Sequence, residues 1–196
     1  MATNSPTDEL FIIRPARSEW DIRVATNLFK AYSAALGIDL AFQDFDTEIQ
    51  RMPGKYAPPN GEILLAIDTS DANTNDQGCD NENEENVLGC VALRPLVLSS
   101  VSSSSSSSSS TASPSLLCEM KRLYVLPSTR GRGVGKALVH AILQHARDKG
   151  YSEMRLDTLC DMHAPIALYK RVGFVEVSQY YDTPLKDKTR FLGITL

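Results

Sequence analysis

Arg130-Gly131-Arg132-Gly133-Val134-Gly135-Lys136 stands between an apolar, strand-like run and an amphipathic helix in this 196-residue chain. Three glycines at alternate positions leave backbone N–H groups open to a ligand, and three cations surround them. A loop of this kind at the start of a helix favours phosphate, because the amides and the helix dipole both attract negative charge. A Walker loop requires Gly, four residues, then Gly-Lys-Ser/Thr. Here Arg130 occupies the first Gly position, and Ala137 replaces the metal-binding hydroxyl. A dinucleotide fingerprint fits Gly131 and Gly133 but fails at Lys136. RNA-binding Arg-Gly segments are longer and unpatterned, whereas this one opens a patterned helix. A basic helix cap with no ligand is the plain alternative.

The neighbours narrow the choice. Leu116 to Val125 reads as a strand closed by Pro127. Downstream, Val134, Leu138, Ala141, Ile142 and His145 recur at helical spacing, and Gly150 ends the helix. A short strand from Ser152 to Leu159 follows, then a helix around Pro165 to Val172 that Gly173 terminates. Phe174 to Val177 opens another strand. Arg130-Gly131-Arg132-Gly133-Val134-Gly135 matches an Arg/Gln-x-x-Gly-x-Gly/Ala loop, and Ala167-Leu168-Tyr169-Lys170-Arg171-Val172-Gly173-Phe174 matches a Leu-Tyr-x-x-x-Gly-Phe signature. On these two motifs, in this order and with a strand between them, the chain resembles the GNAT superfamily of acetyl-CoA-dependent N-acetyltransferases. The run Glu119-Met120-Lys121-Arg122-Leu123-Tyr124-Val125 is similar to that of a small microbial GNAT subgroup whose substrates are mostly unassigned. The close resemblance covers about Leu116 to Phe174. It departs at Met162, where the family often has an Asn that contacts the pantetheine arm.

The chain is long enough for one domain with a substantial core. No apolar run approaches the ~18 residues of a membrane span, and the polar start, Met1 to Glu9, is unlike a secretory signal. Cys79, Cys90, Cys118 and Cys160 show no paired metal spacing, so free thiols in a reducing compartment are expected: the cytosol, with the nucleus as the alternative. The net charge of −4 hides an asymmetry. Residues 68–86 hold seven acids and no Lys or Arg, so the remainder is net positive, and from Leu116 onward 13 Lys/Arg face 8 Asp/Glu. A basic ligand-binding half suits an anionic cofactor. No aromatic-interleaved basic stripe accompanies it, so nucleic acid is not expected.

Leu10 to Arg14 reads as a first strand and Asp21 to Leu36 as a helix, with Ser18 and Glu19 as its cap and Gly37 as its stop. A shorter helix near Asp46 to Arg51 ends at Pro53-Gly54. Gly61 to Ile67 and Val87 to Val97 are the second and third strands, and Arg190 to Leu196 the last. An acidic, Asn-rich insert at about 69–86 and a serine tract at about 99–115 bury too little apolar surface to offset their ordering entropy, which predicts mobile loops. The order is β-α-α-β-β-β-α-β-α-β-β. The expectation is a single α/β (α+β) domain over 1–196: a mixed, mostly antiparallel sheet of about seven strands flanked by helices. The resemblance implies that strands four and five splay apart.

The resemblance further implies site residues. Arg130, Gly131, Arg132, Gly133, Val134, Gly135 and Lys136 would bind the coenzyme A pyrophosphate. The strand edge at Leu123, Tyr124 and Val125 would pair with the pantetheine amides through backbone groups, one of which, near Val125, would meet the oxyanion. An alkylamine with a pKa of about 10 must lose a proton before it attacks. Glu119, at the interval from Arg130 that the base has in the histone-acetylating branch, is the candidate. The alternative is a solvent-facing carboxylate paired with Lys121. Tyr169 is the candidate general acid, beside the cofactor sulfur, against a core tyrosine on an apolar helix. His140, His145 and His163 read as packing or solvent-facing residues, and Cys118 and Cys160 as small core residues. No metal is expected.

The acceptor pocket is expected between Leu36–Asn60 and Gln179–Asp187, which offer Phe42, Phe45, Tyr56, Tyr180 and Tyr181 with Asp39, Asp44, Asp46 and Asp182. The expected reaction is acetyl transfer from acetyl-CoA to a primary amine of a small molecule or amino acid, by a monomer or homodimer, with no nucleic acid or membrane partner. The alternatives are a protein N-terminal or lysine acetyltransferase, and a non-catalytic acetyl-CoA sensor.

Overall fold

The computed structural model describes residues 11–70, 87–98 and 116–196. Along the chain lie β1 (Phe11–Pro15), α1 (Glu19–Leu36), α2 (Phe45–Gln50), β2 (Glu62–Asp68), β3 (Val87–Pro95), β4 (Leu117–Val125), α3 (Val134–Asp148), β5 (Glu153–Leu159), α4 (His163–Val172), β6 (Val175–Glu176) and β7 (Thr189–Thr195). Element order agrees with the sequence expectation, and boundaries differ by a few residues. The two inserts expected at about 69–86 and 99–115 lie outside the described residues, apart from Thr69 and Ser70, as do Leu10 and Cys79.

The strands form one sheet in the order β1-β2-β3-β4-β5-β7-β6. Every neighbouring pair is antiparallel except β4–β5, which is parallel. α3 covers one face through Leu138, Ile142 and Leu143, packed over Met154, Leu156 and Leu192. α1 covers the other through Trp20, Val24 and Phe29, over Ile63, Leu65 and Tyr124. Two apolar layers thus sandwich β2, β3 and β4, and those strands are buried on both sides.

α1 begins where the local chemistry directs it. Ser18 accepts from the Asp21 amide at 3.1 Å, and the Asp21 carboxylate accepts from the Ser18 and Arg17 amides at 2.9 Å each. This reciprocal cap satisfies donors that the helix cannot satisfy itself. Asp21 also takes Arg14 at 2.6 Å, tying the helix start to β1. The sequence reading treated Asp21 as the first helical residue and missed its part in the cap. At the far end Gly37 sits at φ 65°, a left-handed stop that a residue with a side chain adopts poorly. Among the described residues no helix is long and apolar enough to cross a membrane.

Glu62, at the start of β2, joins both layers. Its buried carboxylate takes Arg17 at 2.6 and 2.9 Å, Lys149 at 3.4 Å and His145 Nδ1 at 3.6 Å. Burial alone raises its pKa, but the Arg17 hydrogen bonds and charge, with Lys149, bring the net value below the usual carboxylate range. Its stabilisation is therefore complete above pH ~4.3 and disappears as pH falls toward the folded-state value. Glu62→Gln should lower the melting temperature by on the order of 5 °C at pH 7. The gap should shrink as pH falls below the ordinary carboxylate range toward the lowered folded-state value, as the parent carboxyl takes up its proton. Thermal melts of both proteins between pH 3 and 7 measure it, and an equal gap at every pH would remove the ionised pair from the account.

Candidate functional site

Thr129 fixes the loop that precedes α3. Its buried hydroxyl donates to the carbonyls of Leu88 (3.2 Å) and Leu126 (3.0 Å), bolting the turn to the start of β3. Gly131 (φ 84°) and Gly133 (φ 83°) then carry the chain through left-handed conformations into the helix. Among the described residues, none of the amides from Gly131 to Lys136 donates to a backbone carbonyl. A row of such donors at a helix start is a site for an anion. Arg130 and Lys136 line the same cleft, joined by His140 of α3 and Arg171 of α4. Arg132 does not join them. Its guanidinium is drawn to Asp68 of β2 at 2.9 Å, which holds that carboxyl at a pKa of about 2. Two of the three expected cations thus line the cleft, and sequence spacing gave no hint of Arg171.

The cleft encloses ≈ 1010 Å³ and exists because β4 and β5 separate. They pair only at Leu117↔Glu153, Cys118↔Met154 and Glu119↔Arg155, whereas β4 continues to Val125 and β5 to Leu159. A bulge widens the gap: the register against β3 shifts between Cys90 and Ala92, and Arg122 sits at φ 57°. Past the third pair, the β4 edge at Leu123, Tyr124 and Val125 has no strand partner on the β5 side, and all three residues line the cleft. Gly135 closes the inner wall, where an added Cβ would meet Val125 and Leu168 at ordinary contact distance (3.6 and 3.8 Å). Met162, in place of the family's usual Asn, lines the opposite side beside Pro165. A chain of backbone donors leading into a long apolar cleft is the geometry that a pantetheine arm with a diphosphate tail requires.

Tyr169 faces this cleft from α4, its ring packed on Phe174 at 5.8 Å, and burial holds its phenol well above the ordinary range. Its ring is therefore core, as the apolar-helix reading held, and its side chain also borders the cleft. Glu119 stands differently. Its carboxylate is buried beside the cleft and not in its wall, bound to Arg94 at 2.7 and 2.8 Å, and it accepts from the Tyr180 hydroxyl at 2.8 Å. Lys121 lies 3.7 Å away and reaches instead for Asp157 at 2.7 Å. The solvent-facing pair with Lys121 does not occur, because Tyr180, Tyr181 and Phe191 stack over that face of the sheet with centroids 5.1 to 5.5 Å apart.

Sequence reading missed Asp157, Arg94, Glu48 and Gln43. Arg122 is locked by Glu48 of α2 at 2.7 and 3.1 Å and by Gln43 at 3.3 Å, over the ring of Phe45. Gln43 also donates to Asp157 (3.3 Å) and to the Tyr181 hydroxyl (3.5 Å). The segment after α1 and the segment before β7 therefore meet over β4 and β5, as the acceptor assignment anticipated. Its individual residues fare less well. Tyr56 belongs to the core against Phe29, and none of Asp39, Asp44, Asp46 or Asp182 lines the cleft. The clue to Asp157 was parity in β5: Met154, Leu156 and Thr158 are buried toward α3, leaving Asp157 on the acceptor face. His140 is exposed at the cleft wall, in keeping with its solvent-facing reading. His163 is exposed outside it, Cys118 is buried, and Cys160 is half-buried.

Comparison with known proteins agrees with this geometry. The profile of the "Acetyltransferase (GNAT) family" matches residues 46–174. An "Uncharacterized N-acetyltransferase" of Schizosaccharomyces pombe is 35% identical over 158 residues, covering 81% of this chain and 78% of that protein. Among solved structures, a GNAT-family acetyltransferase of Staphylococcus aureus superposes with a TM-score of 0.64 at 14% identity, covering 94% of this chain and 98% of that one. Arabidopsis thaliana NAA60 in complex with acetyl-CoA gives 0.61 at 18% identity, covering 95% and 98%.

The two glycines nearest the helix start should respond differently to the same change. Gly133→Ala forces a side chain into a left-handed position, costing about 1 kcal/mol and shifting the amides. Gly135→Ala adds a methyl where one fits. Calorimetry should find acetyl-CoA binding weakened roughly tenfold in the first variant, and by less than threefold in the second. Equal behaviour would detach ligand binding from this turn.

Proposed function

Since the chain belongs to the acetyltransferase (GNAT) family and is an acetyl-CoA-dependent N-acetyltransferase, we propose that its acceptor is a primary amine of a small molecule or amino acid, attacked directly in a ternary complex. The observation that supports the small acceptor is the junction at Gln43, which ties Asp157 of the cleft wall to Tyr181 of the segment before β7. In this reading residues 1–196 form one catalytic domain with two inserts. It acts in the cytosol as a monomer or homodimer, with neither nucleic acid nor a membrane as partner.

Acetyl-CoA supplies an activated thioester carbonyl. The amides from Gly131 to Lys136, with Arg130 and Lys136, hold its diphosphate, and Arg132 steadies the loop from behind through Asp68. Backbone groups of Leu123, Tyr124 and Val125 align the arm, and an N–H near Val125 faces the carbonyl oxygen as negative charge builds there. Tyr169 gives its hydroxyl proton to the departing sulfur as the C–N bond forms and the C–S bond breaks. Glu119 takes up the amine's proton through Tyr180: the phenol passes its own proton to Oε1, 2.8 Å away, and accepts one from the nitrogen side. Burial under the tyrosines keeps Glu119 out of direct contact with the acceptor.

The first experiment is free-thiol release from acetyl-CoA across a panel of small amines, amino acids and peptides. Turnover confined to peptides would replace the small acceptor with a protein terminus or lysine. Thiol release with none, despite tight acetyl-CoA binding, would make the chain a sensor. Tyr169→Phe should cut kcat at least tenfold with acetyl-CoA affinity nearly unchanged, and an unchanged kcat would remove Tyr169 from the mechanism. Glu119→Gln and Tyr180→Phe should each slow turnover about as much as the double variant does, since they act on one proton path. Fully additive losses would break that path.

A further inference from the structure

Acetyl transfer to an amine leaves open which group meets the acceptor's positive charge. Among the described residues that line the cleft, Asp157 is the sole carboxylate. Its side chain is 13% exposed, against 1% for Glu119. Lys121 Nζ occupies Oδ1 at 2.7 Å, and Oδ2 accepts from the neutral amide of Gln43 at 3.3 Å. The Tyr181 hydroxyl also hydrogen-bonds to the carboxylate. A carboxylate offers about four acceptor sites, so three partners leave it room for another donor. Tyr169, the proposed acid, and Tyr32 lie close enough for the Asp157 charge to act on both phenols. The carboxylate therefore borders the same space as the group placed at the sulfur.

The surroundings also restrict what the donor can carry. Arg122 is neutralised by Glu48, and Lys121 lies between Asp157 and Glu119, the latter already held by Arg94. The other cations in the cleft wall, Arg130, Lys136 and Arg171, stand toward the phosphate loop and repel further positive charge. The Asp157 charge reaches Tyr32, and the cleft wall continues along the same helix with Ala35 and Leu36, which offer methyl surface and no charge.

We infer that Asp157 anchors the acceptor's ammonium, and that the acceptor is a monocationic amine bearing an apolar substituent, seated against Tyr32, Ala35 and Leu36. Polyamines and other polycations are disfavoured, because among the described residues that line the cleft a second ammonium finds no second carboxylate. The inference rests on the acetyl-transfer reading. Asp157 binds the protonated amine, stays hydrogen-bonded to the remaining N–H groups after one proton leaves, and faces the positive charge that returns to nitrogen as the C–N bond forms.

The test uses the intact enzyme with acetyl-CoA and two probes, 2-phenylethylamine and spermidine, followed by thiol release. The expected kcat/KM for 2-phenylethylamine exceeds that for spermidine at least tenfold. Asp157→Asn should reduce the former about 100-fold, mainly through KM, with acetyl-CoA Kd within threefold of the parent and partial recovery in Asp157→Glu. Spermidine as the equal or better substrate overturns the charge class. An Asp157→Asn kcat/KM within threefold of the parent, or an acetyl-CoA Kd that shifts along with the loss, overturns the anchor. These outcomes leave acetyl transfer standing, because thiol is released in each. Failure of both probes and of every other amine to release thiol, with acetyl-CoA bound, overturns that reading and this inference together. The comparison of probes needs no variant, so a poorly folded Asp157→Asn leaves the charge class fully testable.

Discussion

The structure depends on a parallel strand pair that stops after three registers. Had β4 and β5 remained paired beyond Glu119↔Arg155, the sheet would be continuous and the cleft absent. Two devices keep them apart. The bulge at Arg122 turns β4 away, and α4 inserts Leu168 and Tyr169 at the mouth of the gap. Unpaired strand edges ordinarily invite association with other chains. Here the exposed edge is short and flanked by a helix, and in the proposed reading the amides of the acetyl-CoA arm would pair with it.

The second constraint is electrostatic. Glu48, Arg94, Glu119, Lys121, Arg122 and Asp157 form one buried network beneath the acceptor segments, with three charges of each sign. Burying so many ions is tolerable only because every one has an opposite partner at close range. The arrangement gives the loops around the acceptor end fixed attachments: α2 through Glu48 to Arg122, and the segment before β7 through Tyr180 to Glu119. Geometry at the acceptor end is thus set by ion pairs and phenol hydrogen bonds, whereas geometry at the phosphate end is set by backbone conformation.

That division explains what could be read from the sequence. Helices and strands declare themselves by periodicity, and the phosphate turn by its glycines, because both follow from local backbone preference. The seven strands, the helix stops at Gly37 and Gly173, and the amide-rich loop were all legible for this reason. The ion network was not. Arg94 and Glu119 are 25 residues apart and Glu48 and Arg122 are 74 apart, so nothing in spacing pairs them. Asp157 was discoverable only by parity, and only after β5 had been assigned a buried face. Tyr56 looked like a pocket aromatic because it lies in a connection, yet it packs edge-on against Phe29 in the core. Arg132 looked like a ligand cation because of its position between two glycines, and the deciding partner, Asp68, is 64 residues earlier.

The nine residues of β4 separate two ends of the molecule that have little to do with each other. At one end Val125 runs into the glycine turn that opens α3. At the other, Leu117 accepts from Leu96 and Leu116 accepts from Ser152, close to where β3 ends at Pro95 and β4 begins at Leu117. At the usual rise per strand residue these ends are about 25 Å apart. The rim beside Leu117 is therefore the place to graft a fluorophore, an affinity handle or a tether to a surface, since cargo added there stands a strand's length from the turn that follows Val125.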